Sequence, residues 1–303
     1  MTGTRAPAAR PRAAAAVLVA LALAGVALIV AVGVPMVGTD PVRLEQQVRE
    51  FTAQLTPRGP YRPPDPAERD AVLGAVASLL TSGPDGGGSA TRALEDAGFT
   101  VGVARSEAGH DYLVARSDPG SDRSWGLIAL PIDREPRLLV EVPHPNSDYK
   151  TEEVGLAVLA AVPDAVYLEA GAHRRAADER ADVAHEEDSL FHALAVDLSV
   201  RLQLPQLQLH GFGNRDDLDA DIVLGGGPDD PDPAVRELAD RLEEADVSVC
   251  QAWAERCRGL EGTTNVQGEA AARDGLAFAH VEMSADIRMR PERVARVLAT
   301  LAG

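Results

Sequence analysis

LLVEVPHPNSDYKTEE, residues 138–153, is an apolar run that breaks into a polar loop. Six residues without a turn former read as a buried strand over 137–142. The loop behind it carries His144, Asp148, Glu152 and Glu153. A histidine at a strand end with carboxylates a few positions on suits the start of a metal site. The rest of the chain must supply a second strand-end ligand and a base.

Outward from this stretch, apolar strands alternate with helical segments. Strands are expected at 165–168, 207–209, 221–224, 247–249 and 276–281. Helices are expected at 151–161, 189–202, 233–244 and 291–301, the last with Pro291 in its first turn. This alternation predicts an α/β fold with a mostly parallel sheet covered by helices on both faces. Upstream, three strand-like runs at 99–104, 111–116 and 125–130 read as a meander. They follow helices at 66–80, with Asp65 as cap, and at 91–97. The Gly-rich segment 82–89 reads as a flexible turn.

The 303 residues are 45% hydrophobic and 25% charged, a globular composition. A net charge of −18 argues against a nucleic-acid groove, which needs a basic stripe. Residues 13–34 carry no charge and follow Arg5, Arg10 and Arg12. As a helix they would span ~33 Å, enough to cross a bilayer. The expectation is a cytoplasmic tip and membrane anchor over 1–37, then a juxtamembrane helix and Pro-rich linker over 38–65. The hydrolase-like domain occupies 66–303, with its metal-site core in 136–303. The arginines before the span place that domain outside the cytoplasm; secretion after signal-peptide cleavage is the alternative. In an oxidising compartment Cys250 and Cys257 are candidates for an intramolecular disulfide. Seven residues along one straight helix would hold them ~10 Å apart, so a bond requires the chain to bend between them.

Ligands of open α/β sheets bind beyond the carboxyl ends of the strands. His144, His173, His210 and Glu282 all follow expected strands. A zinc hydrolase needs about three protein ligands, an open position and a nearby carboxylate base. His144, Asp148 and His210 are the candidate zinc ligands, and Glu282 the candidate base; Arg288 or Arg290 as a simple ion-pair partner is the structural alternative for Glu282. Arg174 is a candidate to stabilise an oxyanion or bind a substrate carboxylate. Asn265 and Gln267, in a loop of small and amide residues at 261–268, are candidate substrate contacts. His185 is a candidate substitute ligand. No GxSxG is present, which disfavours a serine hydrolase of that type.

The order strand–His–acid, distant strand–His, late strand–Glu resembles the zinc carboxypeptidase and deacylase group, whose relatives include N-formylglutamate amidohydrolases and poly-γ-glutamate hydrolases. The resemblance covers residues 137–302. It implies a phosphorylase/hydrolase-like fold, one zinc ion and hydrolysis of an amide or peptide bond. His144 matches the first ligand, His210 the later one and Glu282 the base. Ser147 stands where the carboxypeptidase pattern has its glutamate, three residues after the first histidine; Asp148 is the nearest carboxylate, with Glu152 or Glu153 behind it. Two other classes remain open: a non-catalytic binding module of the same fold, and a metal-dependent phosphoesterase using Asp148, Asp182, His185 and His210.

Overall fold

A computed structural model describes residues 42–213 and 217–303. Ten strands form one sheet: β1 (Val42–Arg43), β2 (Phe99–Arg105), β3 (Asp111–Ser117), β4 (Gly126–Pro131), β5 (Leu138–Val142), β6 (Ala165–Ala170), β7 (Gln206–Gly211), β8 (Ile222–Gly225), β9 (Val249–Gln251) and β10 (Phe278–Met283). Their order is β1-β2-β3-β4-β6-β5-β7-β10-β8-β9. The four central strands β6, β5, β7 and β10 run parallel. The flanks are mixed: β2, β3, β4 and β6 pair antiparallel in turn, and so do β10 and β8, while the outermost pairs β1–β2 and β8–β9 are parallel. The sheet is therefore mixed, with five parallel and four antiparallel pairings among the described strands, where a mostly parallel one is expected. Two of the antiparallel pairings come from the β2–β3–β4 meander, whose short turns permit only antiparallel neighbours.

The helices are α1 (Leu44–Thr52), α2 (Pro66–Gly86), α3 (Gly88–Asp96), α4 (Thr151–Ala161), α5 (Leu190–Leu202), α6 (Pro233–Glu244), α7 (Val266–Asp274), α8 (Ala285–Arg288) and α9 (Glu292–Leu298), followed by a 3₁₀ turn at Ala299–Ala302. One core joins α1, α4, α6 and α9 to Leu138, Val140 and Val142 of β5, with Leu207, Leu209, Ala279 and Val281. The other joins α2, α3 and α5 to Leu139, Val166 and Leu168. Because side chains alternate along a strand, Glu141, Gln208, His210, His280 and Glu282 all fall on the face opposite the first core. Register keeps them in a row: Glu141 pairs with Gln208, Gln208 with His280, and His210 with Glu282.

Caps mark where the helices start. Asp65 and Glu68 exchange backbone bonds in a capping box ahead of Pro66. Ser189 caps α5 and Asp232 caps α6. Three local expectations change. The segment 82–89 is mostly helical, since α2 runs to Gly86 and α3 starts at Gly88. The loop at 261–268 ends in a helix, α7, begun by Asn265 and carried by the Ala-rich stretch after it. The closing helix is divided into α9 and the 3₁₀ turn.

The segment 38–65 also differs from a juxtamembrane helix and linker over the part described. Leu44, Val48 and Phe51 of α1 are buried in the core. The Pro-rich stretch is strapped to the sheet by Ser124 Oγ, which donates to the Pro60 carbonyl, and Trp125 Nε1, which donates to that of Arg62. The span at 13–34 lies outside the described residues, among which no helix is long and apolar enough to cross a membrane. Cys250 and Cys257 form a disulfide with their Cα atoms 6.0 Å apart. The required bend exists because Cys250 lies in β9 and the chain turns before Cys257.

Candidate metal centre

The parallel strands β5, β7 and β10 end side by side, and their polar row meets the loop after β5. There Ser147 and Asp148 donate their backbone N–H groups to the carbonyl of His144 at 3.1 and 2.9 Å. This tight turn folds the Asp148 carboxylate back over the imidazole. Asp148 Oδ2 lies 3.2 Å from His144 Nδ1 and 3.4 Å from His210 Nδ1. All three side chains are buried. Four-coordinate zinc with ligands at 2.0–2.2 Å spaces them about 3.3–3.6 Å apart; the two Asp148 separations are close to this, and the three ligand atoms all lie within 4.8 Å of one another.

Which ring nitrogens are free follows from backbone donors. The N–H groups of Gln267 and Gly268 both donate to Asn265 Oδ1, at 3.0 Å each, which fixes the orientation of that amide. Asn265 Nδ2 therefore donates to Gln208 Oε1 at 2.5 Å. Gln208 Oε1 is then the acceptor at 2.7 Å from His210 Nε2, so this nitrogen carries the hydrogen. His210 Nδ1 is left as a lone pair facing an anionic oxygen. His144 is set the same way, its Nε2 donating to Asp182 Oδ1 at 2.7 Å. Remote nitrogens held by fixed acceptors, with near nitrogens converging on a carboxylate, are the second-sphere arrangement of metal-bound histidines.

Electrostatics agree with the geometry. Burial pushes the His210 pKa down to about 4, keeping the ring neutral. Burial also opposes the charged form of His144, yet hydrogen bonds to Asp148 and Asp182 outweigh it and raise its pKa. Burial would raise Asp148, but the two histidines hold it well below the usual carboxylate range. Without a metal, a proton on His144 Nδ1 satisfies this corner; a divalent cation would displace it.

Glu282 sits next to this set. Its Oε2 is buried with no hydrogen-bond partner. Its pKa is raised to about 8, by burial first and by the Asp148 charge second. His280, two residues earlier on the same face, stacks on His210 with ring centroids 4.5 Å apart, and its Nδ1 is also unpartnered. His210, His280 and Glu282 form a second group of ligand-type atoms. The two groups share His210, whose Nε2 is committed to Gln208; its one free nitrogen serves a single ion.

A cavity of about 360 Å³ opens onto these atoms, lined by His144, His210, His280, Glu282, Arg174 and the wall 259–265. Arg174 Nη2 donates to Asp182 Oδ2 at 2.6 Å, and Nη1 lies 3.4 Å from His144 Nδ1.

Of the expected site residues, the structure brings together His144, Asp148, His210, Glu282 and Arg174. Glu153 instead pairs with Arg49 at 2.8 Å, and Glu152 lies in the first turn of α4 outside the donor set. Asn265 borders the cavity but its amide is used in capping and in orienting Gln208. Gln267 is fully buried, bonded to Gln208 and to the Val183 carbonyl, so it is scaffold rather than a substrate contact. It lies in the first turn of α7, two residues past Asn265 where the cavity wall ends, with its side chain turned into the protein. Asp182 and His185 face each other at 3.3 Å, with Asp182 on the far side of His144, so neither shares a metal position with Asp148. His173 Nδ1 accepts the Arg175 N–H and lies outside both groups. Glu282 forms no ion pair with Arg288, which bonds backbone carbonyls. Glu141, Gln208 and His280 were not among the expected residues. Their signal was period-two polarity inside apolar strands, in LLVEV, QLQLH and FAHVE.

Fold and site together define a mixed α/β protein with a buried His–Asp–His donor set at the ends of parallel strands. No protein-family model matches the chain, and no curated protein matches it. Several solved structures overlay on it. A candidate carboxypeptidase A from Shewanella denitrificans shares 12% identity, with 82% of this chain and 70% of that one covered at a TM-score of 0.41. A candidate carboxypeptidase from Burkholderia mallei shares 10%, covering 80% and 67%, at 0.40. An aspartoacylase family protein from Mesorhizobium loti shares 11%, covering 67% of each chain, at 0.38. Overlap at this level carries no argument about function, which rests on the donor set.

Proposed function

We propose that the protein is a zinc-dependent hydrolase of an amide or peptide bond, tethered to the membrane with its folded domain outside the cytoplasm. The observation that supports it most is the His210 Nδ1 lone pair facing the Asp148 carboxylate at 3.4 Å, both buried, an arrangement that a bound cation between them would satisfy. His144, Asp148 and His210 would hold the ion. Bound zinc supplies a Lewis acid for the carbonyl and lowers the pKa of water to ~7.

The chain's own residues do the rest. Glu282 Oε2, with no other partner, receives the proton of the attacking water and returns it to the leaving nitrogen. Burial and the Asp148 charge hold its pKa at about 8, and beside a bound divalent cation it would ionise more readily and be available as a base near neutrality. Arg174 lines the cavity and would stabilise the developing oxyanion, its Nη2 anchored on Asp182. The extracytoplasmic location is supported by the Cys250–Cys257 disulfide, a bond that persists in oxidising compartments.

A second reading, a non-catalytic binding module of the same fold, has one observation in its favour: Arg174 itself reaches His144 Nδ1. Metal analysis of the purified full chain, with Glu282→Gln beside it, separates the two. The enzyme reading expects near-stoichiometric zinc in both proteins and amide hydrolysis in the parent only. Absence of bound transition metal from the parent, or an undiminished rate in E282Q, refutes it.

A further inference from the structure

Arg288, the last residue of α8, is buried, 6% exposed, beneath the metal centre. Its Nε donates to the Met283 carbonyl at 3.2 Å, Nη2 to that of Phe212 at 2.7 Å, and Nη1 to that of Tyr149. Each acceptor sits beside a site residue. Tyr149 follows Asp148, Phe212 comes two after His210, and Met283 follows Glu282. One guanidinium thus touches the three backbone segments, from three non-consecutive parts of the chain, that carry the ligand carboxylate, a ligand histidine and the base.

Only arginine offers this. Its planar fork points several donors in fixed directions, whereas a lysine ammonium gathers its donors at one point. The neighbouring backbone is shaped for the fork. A Cβ built on Gly211 would meet Arg288 Nε and Cζ at 2.5 Å, so β7 needs glycine where the guanidinium lies across it. The Gly211 N–H in turn donates to Asp148 Oδ2 at 3.3 Å. Arg288, Gly211 and Asp148 are therefore in successive contact.

We propose that Arg288 is a positioning residue that sets Asp148, His210 and Glu282 relative to one another by stapling the carbonyls of Tyr149, Phe212 and Met283. It touches no substrate; it acts through the backbone. The proposal takes from the metal-hydrolase reading only that these three side chains work as one site.

The test uses the full chain as the parent, R288K, R288Q, G211A and the double variant G211A/R288Q. Two readouts are taken: histidine-ring ¹⁵N NMR of the metal-free protein, and cobalt(II) titration followed by visible absorption. The parent should show His210 as a single Nε2–H tautomer. In R288Q the His144 and His210 ring signals should shift or split, while amide signals of α2 and α3 stay in place. Cobalt affinity should fall ~10–100-fold, as for loss of an outer-sphere partner, with R288K between parent and R288Q. G211A should reproduce the R288Q effect, and the double variant should be no worse than the worse single one, because both remove the same contact. Unchanged ring signals in R288Q, or losses that add in the double variant, overturn the proposal. If R288Q does not fold, R288K decides: rings identical to the parent's sink the idea. A parent that binds no cobalt defeats the metal reading, and the ring spectra still judge the staple.

Discussion

Glu169→Gln should remove a pH dependence built into the fold. Glu169 lies on β6, fully buried on the α1 side of the sheet. Thr52 Oγ1 of α1 donates to its Oε1 and Tyr167 Oη to its Oε2, both at 2.5 Å. Burial raises its pKa to about 8 and the nearby Glu152 charge adds to this, against the pull of the two hydroxyl bonds. In the unfolded chain the same group titrates near ~4.3. Below that pH both states hold the proton and the folded state keeps its full stability. As pH rises towards 8 the unfolded chain releases a proton that the folded one retains, and stability falls by ~1.36 kcal/mol per unit. Across the interval the loss reaches about 5 kcal/mol, set against total stabilities of about 5–15 kcal/mol. Glutamine keeps the shape without the proton. Urea unfolding of metal-free parent and variant at pH 5, 6, 7 and 8 measures the difference. E169Q should be slightly the less stable at pH 5 and several kcal/mol the more stable at pH 8. Glu141 and Glu282, raised to about 8 as well, are present in both proteins and largely cancel. A stability difference that stays constant from pH 5 to 8 would refute the reasoning.

Zinc at ~100-fold over its dissociation constant should stabilise the parent by about 2.7 kcal/mol, a melting shift of roughly 5–10 °C for a domain of this size. Asp148→Ala should lose that shift in calorimetry while still unfolding cooperatively; an equal shift in both would remove Asp148 from the ligand set. Replacing Cys250 and Cys257 with serine reopens a loop of seven-residue separation, which should cost about 2.5 kcal/mol on the chain-entropy scale. Denaturation of the double variant against the parent checks this, and a cost near zero would mean the bend survives without the bond.

The alternation of apolar strands and helices was legible because period carries it directly, and α4 and α6 fall where the pattern put them. What the pattern could not carry was pairing direction. A run such as Gly126–Pro131 is fully buried and reads alike whether its neighbours run with it or against it. The role of 42–65 was hidden for a related reason. An amphipathic face on α1 states that something covers it, while only the folded sheet shows that Val48 and Phe51 meet the main core. At the site, strand-end histidines were visible in the order of elements. The supporting sphere was not, since Glu141, Gln208 and Asn265 become one hydrogen-bonded chain only once β5, β7 and α7 are in place.

Local backbone geometry also accounts for an aspartate reaching His144 where the resembled pattern has a glutamate one residue earlier. The turn after β5 closes on the His144 carbonyl from both Ser147 and Asp148. It carries the side chain at 148 back towards the ring, so a short carboxylate reaches Nδ1 at 3.2 Å. A residue at 147 starts from a different point of the same turn. One carboxylate oxygen then faces two imidazoles whose outward nitrogens are already spent, His144 on Asp182 and His210 on Gln208. Backbone amides at the start of α7 fix the His210 side of this arrangement, several side chains away from the metal position. Changes at Asn265 therefore act on the choice of tautomer at His210 before they act on anything a substrate touches.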